Sequence, residues 1–574
     1  MNRGSAKNSE IREISDGSRI VSGQENVANV MNEYFINAPQ TIAGSLNHDE
    51  NFSHRSFLSG NYPDSFFLAT TSPESIVKLL NSLNSSSNGS GYLGIPFKVV
   101  QSIIELISVR LSHIFNKCIS NGYFPKKLKI AQVVPIHKSG DQTSPNNFRP
   151  ISILTVFSKI LEKHLYNELL FYFESKNIIT EQQCGFRREV STNIAIGKFL
   201  NRVYSGLNDG KFGIGLFLDL QKAFDLMDHK ILLDKLHHYG VRGCPHKLIK
   251  SFLSERKQYV KIGESESKIL GTSIGSPQGS VLSPLLFLIF INDIVNASNI
   301  LHFNLFADDT CIYISDNSII NLYSILNFEI LKVEKWISAN MLSLNVNKTV
   351  YLLFSGKKPI QNIPPLMMFN VPIIRKTETK FLGLIIDEKI TWGPHAQSVW
   401  GKISRVSGII GKIKGHMTSN SLKTIYYALV YPNIQSGIVF WGTVSKFRFN
   451  KIFRVQKKVI RYIAGVRRLE HTDPIFKNLN ILKLCDVKKL ETSKFVHADI
   501  DQNRFFNFSN RASVHSYSTR NNSALVLPYP RINLMLNSVF YEGLKYFDQL
   551  PLDLKQINSK KSFKSKMKNY LISS

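Results

Sequence analysis

Apolar residues along this chain recur at two spacings, and each predicts a kind of element. At intervals of three and four, Ser72–Leu83 places Ile76, Leu79, Leu80 and Leu83 on one helical face. Ser72 fits the N-cap of that helix, Pro73 its first position and Glu74 the positive end of its dipole. Phe97–Ile119 predicts a long helix whose apolar face is Val99, Val100, Ile103, Ile104, Ile107, Leu111 and Ile114. Ser158–Phe173, Asp228–Tyr239 (closed by Gly240), Val281–Val295 and Leu322–Ala339 predict further helices. β-branched or alternating runs predict strands at Ile130–Ile136, Arg149–Leu154, Gly213–Leu218, Val350–Phe354 and Phe381–Ile386. Lys138 to Asp141 reads as a turn and Asn84 to Gly91 as a flexible loop. Helices interleaved with these strands imply an α+β layer, a sheet with helices packed on one face.

The alternation sharpens at Leu301, Phe303 and Leu305, which are separated by His302 and Asn304. Phe306-Ala307-Asp308-Asp309-Thr310 follows, and then the apolar run Cys311 to Ile314. This predicts a hairpin with two adjacent acids at its tip. Like charges on an apolar hairpin are costly unless a cation neutralises them. The pair is therefore either a polar turn or part of a divalent-metal site. Asp219, at the end of the Gly213–Leu218 strand, poses a similar choice between a helix N-cap and a carboxylate that needs a cation.

The two ends read differently. Residues 1–70 are polar and irregular, with one helix around Val27–Ile36, and predict a linker without a core of its own. Beyond Gly393 the pattern is mainly helical and basic. Lys451–Ile463 puts Ile452, Val455, Val459 and Ile463 on one face and Lys451, Arg454, Lys457, Lys458 and Arg461 around the rest. That basic face is either solvated or laid along a nucleic-acid backbone. Lys555 to Lys568 reads as a disordered tail.

Charge narrows the partner. Among 574 residues, 71 Lys and Arg against 42 Asp and Glu leave a net charge of +29, which points to a polyanion and most simply to nucleic acid. No strongly basic amphipathic helix stands at a terminus to favour a membrane surface. The most apolar stretch, Val281 to Ile291, is too short to span a bilayer and contains Ser283 and Pro284. No secretory signal is visible at Met1. Cys118, Cys184, Cys244, Cys311 and Cys485 are scattered without a Cys-x-x-Cys pair, which argues against a disulfide framework or a zinc knuckle.

Several short motifs then stand in order: Asn147-Phe148-Arg149-Pro150-Ile151-Ser152, Phe217-Leu218-Asp219, Lys222-Ala223-Phe224-Asp225, Gly275-Ser276-Pro277-Gln278-Gly279-Ser280, Phe306-Ala307-Asp308-Asp309 and Phe381-Leu382-Gly383. Together they resemble the reverse transcriptase family, and more narrowly the polymerase of a non-LTR, LINE-type retrotransposon of the jockey-like branch. The ordered motifs run from about Lys126 to Ile386, and the basic region around Gln456 to Gly465 extends the likeness.

The resemblance implies a right-hand polymerase with an antiparallel palm sheet and a helical, basic C-terminal region. It divides the chain into an N-terminal linker-like segment (1–70), a finger extension (71–125), fingers and palm (126–390) and a thumb with a nucleic-acid-binding region (391–574). It implies two Mg²⁺ ions held by Asp219, Asp308 and Asp309, with Asp309 the weaker ligand. Lys138 and Arg149 match residues that hold a nucleoside triphosphate, as point charge and as two-pronged donor. Phe224 matches the bulky side chain that excludes a 2′-hydroxyl. Gln278 would touch the new base pair, between glycines that let backbone approach closely. Lys348 matches a lysine that protonates pyrophosphate. Phe186 and Arg187 would line the template path, and Phe381, Leu382 and Gly383 would form the primer grip.

The implied partners are an RNA template, a DNA primer or target and dNTPs, with no membrane and no zinc site. The implied location is the nucleus, with a cytoplasmic ribonucleoprotein as a second place. Ser276 and Ser283 depart from the Val and Gly that many members carry there, as does the Ser85–Gly94 loop. The residues before Ser72 are too few for an apurinic-type endonuclease. Cys485 and His497 stand apart, as a structural Cys and a surface His. The sparse acids after Gly393 form no RNase H set. A partial element product is therefore expected, one that extends a 3′-end made elsewhere. A nucleic-acid-binding remnant without catalysis is the alternative.

Overall fold

The computed structural model describes residues 11–17, 19–46, 52–83, 90–356, 363–506, 508–509 and 525–573. Most of the Asn84–Gly91 loop lies outside the described residues.

A five-stranded sheet stands at the centre. Phe212–Leu218 pairs antiparallel with Asp309–Asp316 on one side and with Val350–Phe354 on the other. His302–Phe306 closes one edge as the partner of the hairpin, and the short strand Ile374–Arg375 closes the other in parallel with Val350–Phe354. The sheet expected for a palm is thus antiparallel over four strands and parallel at one edge.

Both faces of this sheet are covered, not one. Ile214, Leu216, Leu218, Ile312, Ile314, Tyr351 and Leu353 point into a core with helices 156–175, 229–238, 283–291 and 319–339. Phe217, Cys311, Tyr313, Val350, Leu352 and Phe354 point the other way, onto helix Thr192–Asn208 and the C-terminal helices. This explains why the strand runs are continuously apolar. A strand buried on both faces loses the in–out alternation that marks a one-sided sheet.

A second sheet holds Ile130–His137 between Phe148–Ile153 and Arg256–Ile262. The N-terminal segment is part of this unit and not a linker. A hairpin of Glu13–Ser15 with Ile20–Ser22 leads into helix Gln24–Gly44. Ile14, Val27, Ala28, Met31 and Phe35 are buried against Val133, Phe148, Val260 and Ile262. So few apolar residues make no core alone, but they complete one on a sheet that the later chain supplies.

Helix Phe97–Asn121 buries Val100 and Ile104 of the expected face, with Ile107 and Leu111 partly buried, but turns Ser108, Ser112 and Phe115 inward beside them. Ser112 Oγ donates to the Thr71 carbonyl at 2.7 Å, so a hydrogen bond directs the face inward, while Val99, Ile103 and Ile114 stay exposed. The Val281–Val295 helix is shorter, Ser283–Ile291, and tightens into a 3₁₀ turn at Asn292–Ala297. The expected Phe381–Ile386 strand is a hairpin. Glu378–Phe381 and Leu384–Asp387 pair across Leu382 and Gly383, which take φ of 45° and 90°.

In the C-terminal region, helix Gly393–Ile413 packs on Lys446–Ala464. Ile452, Val459 and Ile463 are buried there as expected, and Gln456 joins them, donating to Tyr426 Oη and the Leu482 carbonyl. Lys451 lies over the Trp400 ring at 3.6 Å and Lys457 over Phe453 at 4.5 Å, so part of the basic face rests on the protein's own aromatics. The expected disordered tail is instead helix Lys560–Ser573, anchored by buried Phe563, Met567 and Leu571. His497 is not on the surface; it is buried, with its ring stacked on Phe563 at 4.1 Å.

One buried ion pair locks the helices behind the central sheet. Lys235 Nζ lies 2.6 Å from Asp293 Oδ1 and 2.6 Å from the Phe290 carbonyl oxygen, and both charged side chains are fully buried. Burial pushes the Lys235 ammonium below its ordinary range, against the pull of Asp293. Lys235→Met should destabilise the protein by about 3–5 kcal/mol, because it strands a buried carboxylate, whereas Lys235→Met with Asp293→Leu should recover most of that loss. Chemical denaturation of the two variants measures the difference.

Candidate active site

The site begins with strand register. Thr310 pairs with Leu218, so the next residue, Asp219, stands beside Asp309 at the hairpin tip. Ala307, at φ 56°, makes the turn that presents Asp308. The three carboxylates feel one another. Burial first, and then the charges of Asp308 and Asp219, push Asp309 up to about 6. Burial also raises Asp219, with Lys348 pulling it down and Asp308 pushing it up.

The backbone of Asp219 is fastened on both sides. Its N–H donates to Thr349 Oγ1 at 3.3 Å, and its carbonyl accepts from the Asn345 N–H at 2.8 Å. The same Asn345–Thr349 turn carries Lys348, whose placement next to Asp219 follows from those two bonds. Asn345 lines the cleft beside it.

A cleft of about 1220 Å³ opens in front of these acids. Lys138, Arg149, Phe186, Asp219, Phe224, Gln278, Asp308 and Lys348 all line it. Lys138 and Arg149 come together because Ile136 pairs with Arg149, and the Lys138 N–H continues the ladder to the Asn147 carbonyl at 2.8 Å. Burial lowers the Lys138 ammonium, and Arg149 lowers it further, while Asp225 and Asp219 oppose. Phe224 stacks on Phe287 at 4.4 Å, which holds its ring at the wall.

Gln278 sits on a loop clamped from two sides. Its carbonyl accepts from the Ser152 N–H at 2.7 Å, and its Nε2 donates to Asp225 Oδ1 at 2.8 Å. Gly279 takes φ 128°, and a Cβ there would run into the Ser152 carbonyl oxygen. A Cβ at Gly275 would run into the Asp225 backbone. Ser276 is buried within this loop, and Ser283 is buried at the start of helix Ser283–Ile291 that follows it.

Other expected residues fall elsewhere. Asp309 stands at the hairpin tip but does not line the cleft. Arg187 turns away from it, donates to the Thr180 carbonyl at 3.3 Å and faces a separate groove. Phe381 is buried between Phe217 and Phe199, with ring centroids 5.4 and 6.0 Å away. Leu382 and Gly383 form the turn of that hairpin, also outside the cleft.

Residues without an assigned role also line the cleft. Tyr34 comes from the N-terminal helix, donates to Asn146 Oδ1 at 3.0 Å and lies under Lys222 Nζ at 4.7 Å. Asp225 carries Gln278 and faces Lys138, Arg149 and Lys222; burial raises its carboxyl, and the Gln278 bond opposes that. The Asp225 position is visible in the Lys222–Asp225 motif. Nothing in the local pattern around Tyr34 points to the cleft.

A set of carboxylate oxygens at the end of a strand is hard-donor chemistry suited to a divalent ion. Burial and, after it, the charges of Asp308 and Asp219 raise the Asp309 carboxyl, and such an ion would relieve both. Among the described residues no three His, Cys, Asp or Glu side chains form a ready-made metal cluster. No helix of the described residues is long and apolar enough to cross a membrane.

Residues 136–386 match the family "Reverse transcriptase (RNA-dependent DNA polymerase)". The chain is similar to the RNA-directed DNA polymerase from mobile element jockey of Drosophila melanogaster, 30% identical over 392 residues, covering 66% of this chain and 42% of the relative. It is also similar to the probable RNA-directed DNA polymerase from transposon BS of the same organism, 27% identical, covering 69% of this chain and 45% of the relative. A Pol polyprotein from the R2 element of Popillia japonica is 25% identical over 175 residues, covering 30% of this chain and 24% of the relative. The chain thus spans less than half the length of these curated relatives.

The raised Asp309 carboxyl has a testable consequence. A folded-state value near 6, above the ordinary 3.8, favours the folded protein at low pH, and that contribution is lost as pH rises through 6. Asp309→Asn cannot titrate. After discounting for solvent screening, the metal-free variant should be more stable than wild type by about 1 kcal/mol at pH 7–8, with the gap closing towards pH 4. Thermal melts across that range measure it. Gly279→Ala should be far more damaging to the cleft, because both its φ and the Ser152 carbonyl forbid the added methyl.

Proposed function

Residues 136–386 place this chain among the reverse transcriptases, beside those of jockey-like non-LTR elements, and from that membership we propose that it extends a primer 3′-end on an RNA template with deoxynucleotides. The observation that carries the reading is the convergence of Asp219 and Asp308 with Lys138, Arg149, Phe224 and Gln278 in one cleft. In this reading the central sheet is the palm, the sheet around Ile130–His137 with helix Gln24–Gly44 belongs to the fingers, and the helices after Gly393 are the thumb.

Asp219 and Asp308, with Asp309 behind them, would hold two Mg²⁺ ions. When bound, the ions supply charge that activates the 3′-hydroxyl and neutralises the departing pyrophosphate. The protein's own groups do the rest. Arg149 and Lys138 receive the triphosphate, and the charge of each beside the other favours the anion. Phe224, backed by Phe287, occupies the space a 2′-hydroxyl would need. Gln278 contacts the nascent base pair from a loop that Asp225 and Ser152 keep still. As the 3′-oxygen–phosphorus bond forms, the 3′-hydroxyl proton passes to solvent, the bond to pyrophosphate breaks, and Lys348 beside Asp219 hands a proton to the leaving oxygen.

The hairpin Glu378–Asp387 would support the primer through packing, since Phe381 ties it to the Phe217 strand. An RNA template and a DNA primer or target are the partners, and the nucleus is the compartment where chromosomal DNA is met. The net charge of +29 supports the nucleic-acid partners.

Purified protein should incorporate dNTPs on a primed RNA template when Mg²⁺ is supplied. Asp308→Asn should lower that rate by roughly 100-fold or more, the scale of losing an electrostatic contact made in the transition state. Binding of primed template without incorporation would reject the enzyme reading and leave a binding protein. Phe224→Ala should raise the ratio of kcat/KM for ribonucleotides to that for deoxynucleotides; an unchanged ratio would reject the role given to its ring.

A further inference from the structure

A second basic groove, of about 800 Å³, lies on the far side of the loop that carries Phe186. Its floor includes His302 and Asn304 of the sheet-edge strand. Arg187, Arg188, Lys198, Arg202 and Arg504 line it. Glu174, Glu181 and Glu189 are also there, but Glu189 is already paired with Lys560 at 2.9 Å. Among the described residues none of the five cations forms an ion pair with a carboxylate.

The groove is held open by specific contacts. Buried Asp499 accepts N–H bonds from Arg504, Phe505 and Phe506 at 3.0, 2.9 and 3.1 Å, which fixes the loop that brings Arg504 over helix Thr192–Asn208. Gly197 leaves room for that loop, since a Cβ there would stand 3.2 Å from the Phe505 ring. On the other wall, Gln183 Oε1 accepts from the Gly185 and Ala307 N–H groups at 2.7 and 3.1 Å. The loop that ends in Arg187 and Arg188 is therefore tied to the turn that presents Asp308.

Partial removal from water holds both Lys198 and Arg202 below their ordinary values, and at Lys198 the Arg504 charge adds to this. Crowding like charges this way costs stability unless an anion enters. The groove begins where the catalytic cleft ends, with Phe186 facing one and Arg187 the other. Along the edge strand it is lined by His302, Phe303 and Asn304, roughly 7 Å at about 3.3 Å per residue.

We infer that this groove binds the sugar–phosphate backbone of a nucleic-acid strand running out of the catalytic cleft past Phe186. The assignment rests on the polymerase reading only for the statement that a strand occupies that cleft. A template RNA and a primer DNA share the backbone chemistry, and the test separates them.

The test uses the full chain, with fluorescence anisotropy at several salt concentrations. The probes are a short RNA–DNA primer–template and three versions lengthened by a dozen nucleotides, at the template 5′-end, the template 3′-end or the primer 5′-end. One lengthened probe should bind several-fold more tightly than the short one, and its identity names the strand. Arg188→Ala with Arg202→Ala should abolish that gain and reduce the salt slope on the same probe by about 1.4, at about 0.7 per single-strand phosphate contact. Among the described residues neither side chain donates a hydrogen bond, so the melting temperature should hold. Arg188→Lys with Arg202→Lys should keep most of the gain.

If no lengthened probe gains affinity, or the alanine pair keeps the gain and the slope, the inference is overturned. Should the alanine pair melt early, the wild-type slopes on short and long probes decide: equal slopes overturn it. Incorporation on the short probe is read in parallel. Its absence in wild type would reject the polymerase reading, while the anisotropy result on the groove would still stand.

Discussion

Everything at the candidate site depends on one strand pairing. Phe212–Leu218 and Asp309–Asp316 meet antiparallel with Thr310 opposite Leu218. A slip of one residue would turn Phe217, Cys311 and Tyr313 to the wrong core and move Asp219 off the hairpin tip. The pairing is secure because both faces of the sheet bury apolar side chains. That security is what lets the protein hold like charges together at the strand ends. Burial first, and then the neighbouring carboxylates, hold the Asp309 and Asp219 carboxyls above their ordinary range.

The surrounding loops are attached to this pairing through backbone bonds. Asn345 and Thr349 grip Asp219 and carry Lys348 with them. The Gln278 loop is held between Ser152 of one sheet and Asp225 beyond the end of the other. The cleft is thus a seam between two sheets, with acids on one side and the cations Lys138 and Arg149 on the other. Neither side is electrostatically at rest, and a nucleoside triphosphate with divalent ions would satisfy both.

The site was more legible in the sequence than the architecture around it. Arg149, Asp219, Phe224, Gln278 and Asp308 were readable in an ordered set of motifs, Lys138, Phe186 and Lys348 only as single residues matched through the resemblance, and the structure gathers all eight in one cleft. Phe381 was readable as part of a motif, yet its ring is absorbed in the core beside Phe217. The N-terminal residues look like a linker because their few apolar side chains complete a core that the second sheet begins. The last helix looks like a tail because lysines dilute Phe563, Met567 and Leu571, which find their partners far along the chain. Such contacts carry no local signature.

By itself the sequence determined the chemistry on offer: which residues are acidic, cationic or aromatic, the strong positive charge, and the local spacing that makes strands and helices. Those properties are local, since periodicity and turn chemistry act over a few residues. Only the tertiary structure decided which face of helix Phe97–Asn121 is buried, that the central sheet is covered on both sides, and that Tyr34 reaches the cleft. It also decided that Arg187 leaves the cleft for a second groove with Lys198, Arg202 and Arg504. Those outcomes come from packing and charge placement between segments tens to hundreds of residues apart, where tertiary contacts and not local spacing set the free energy.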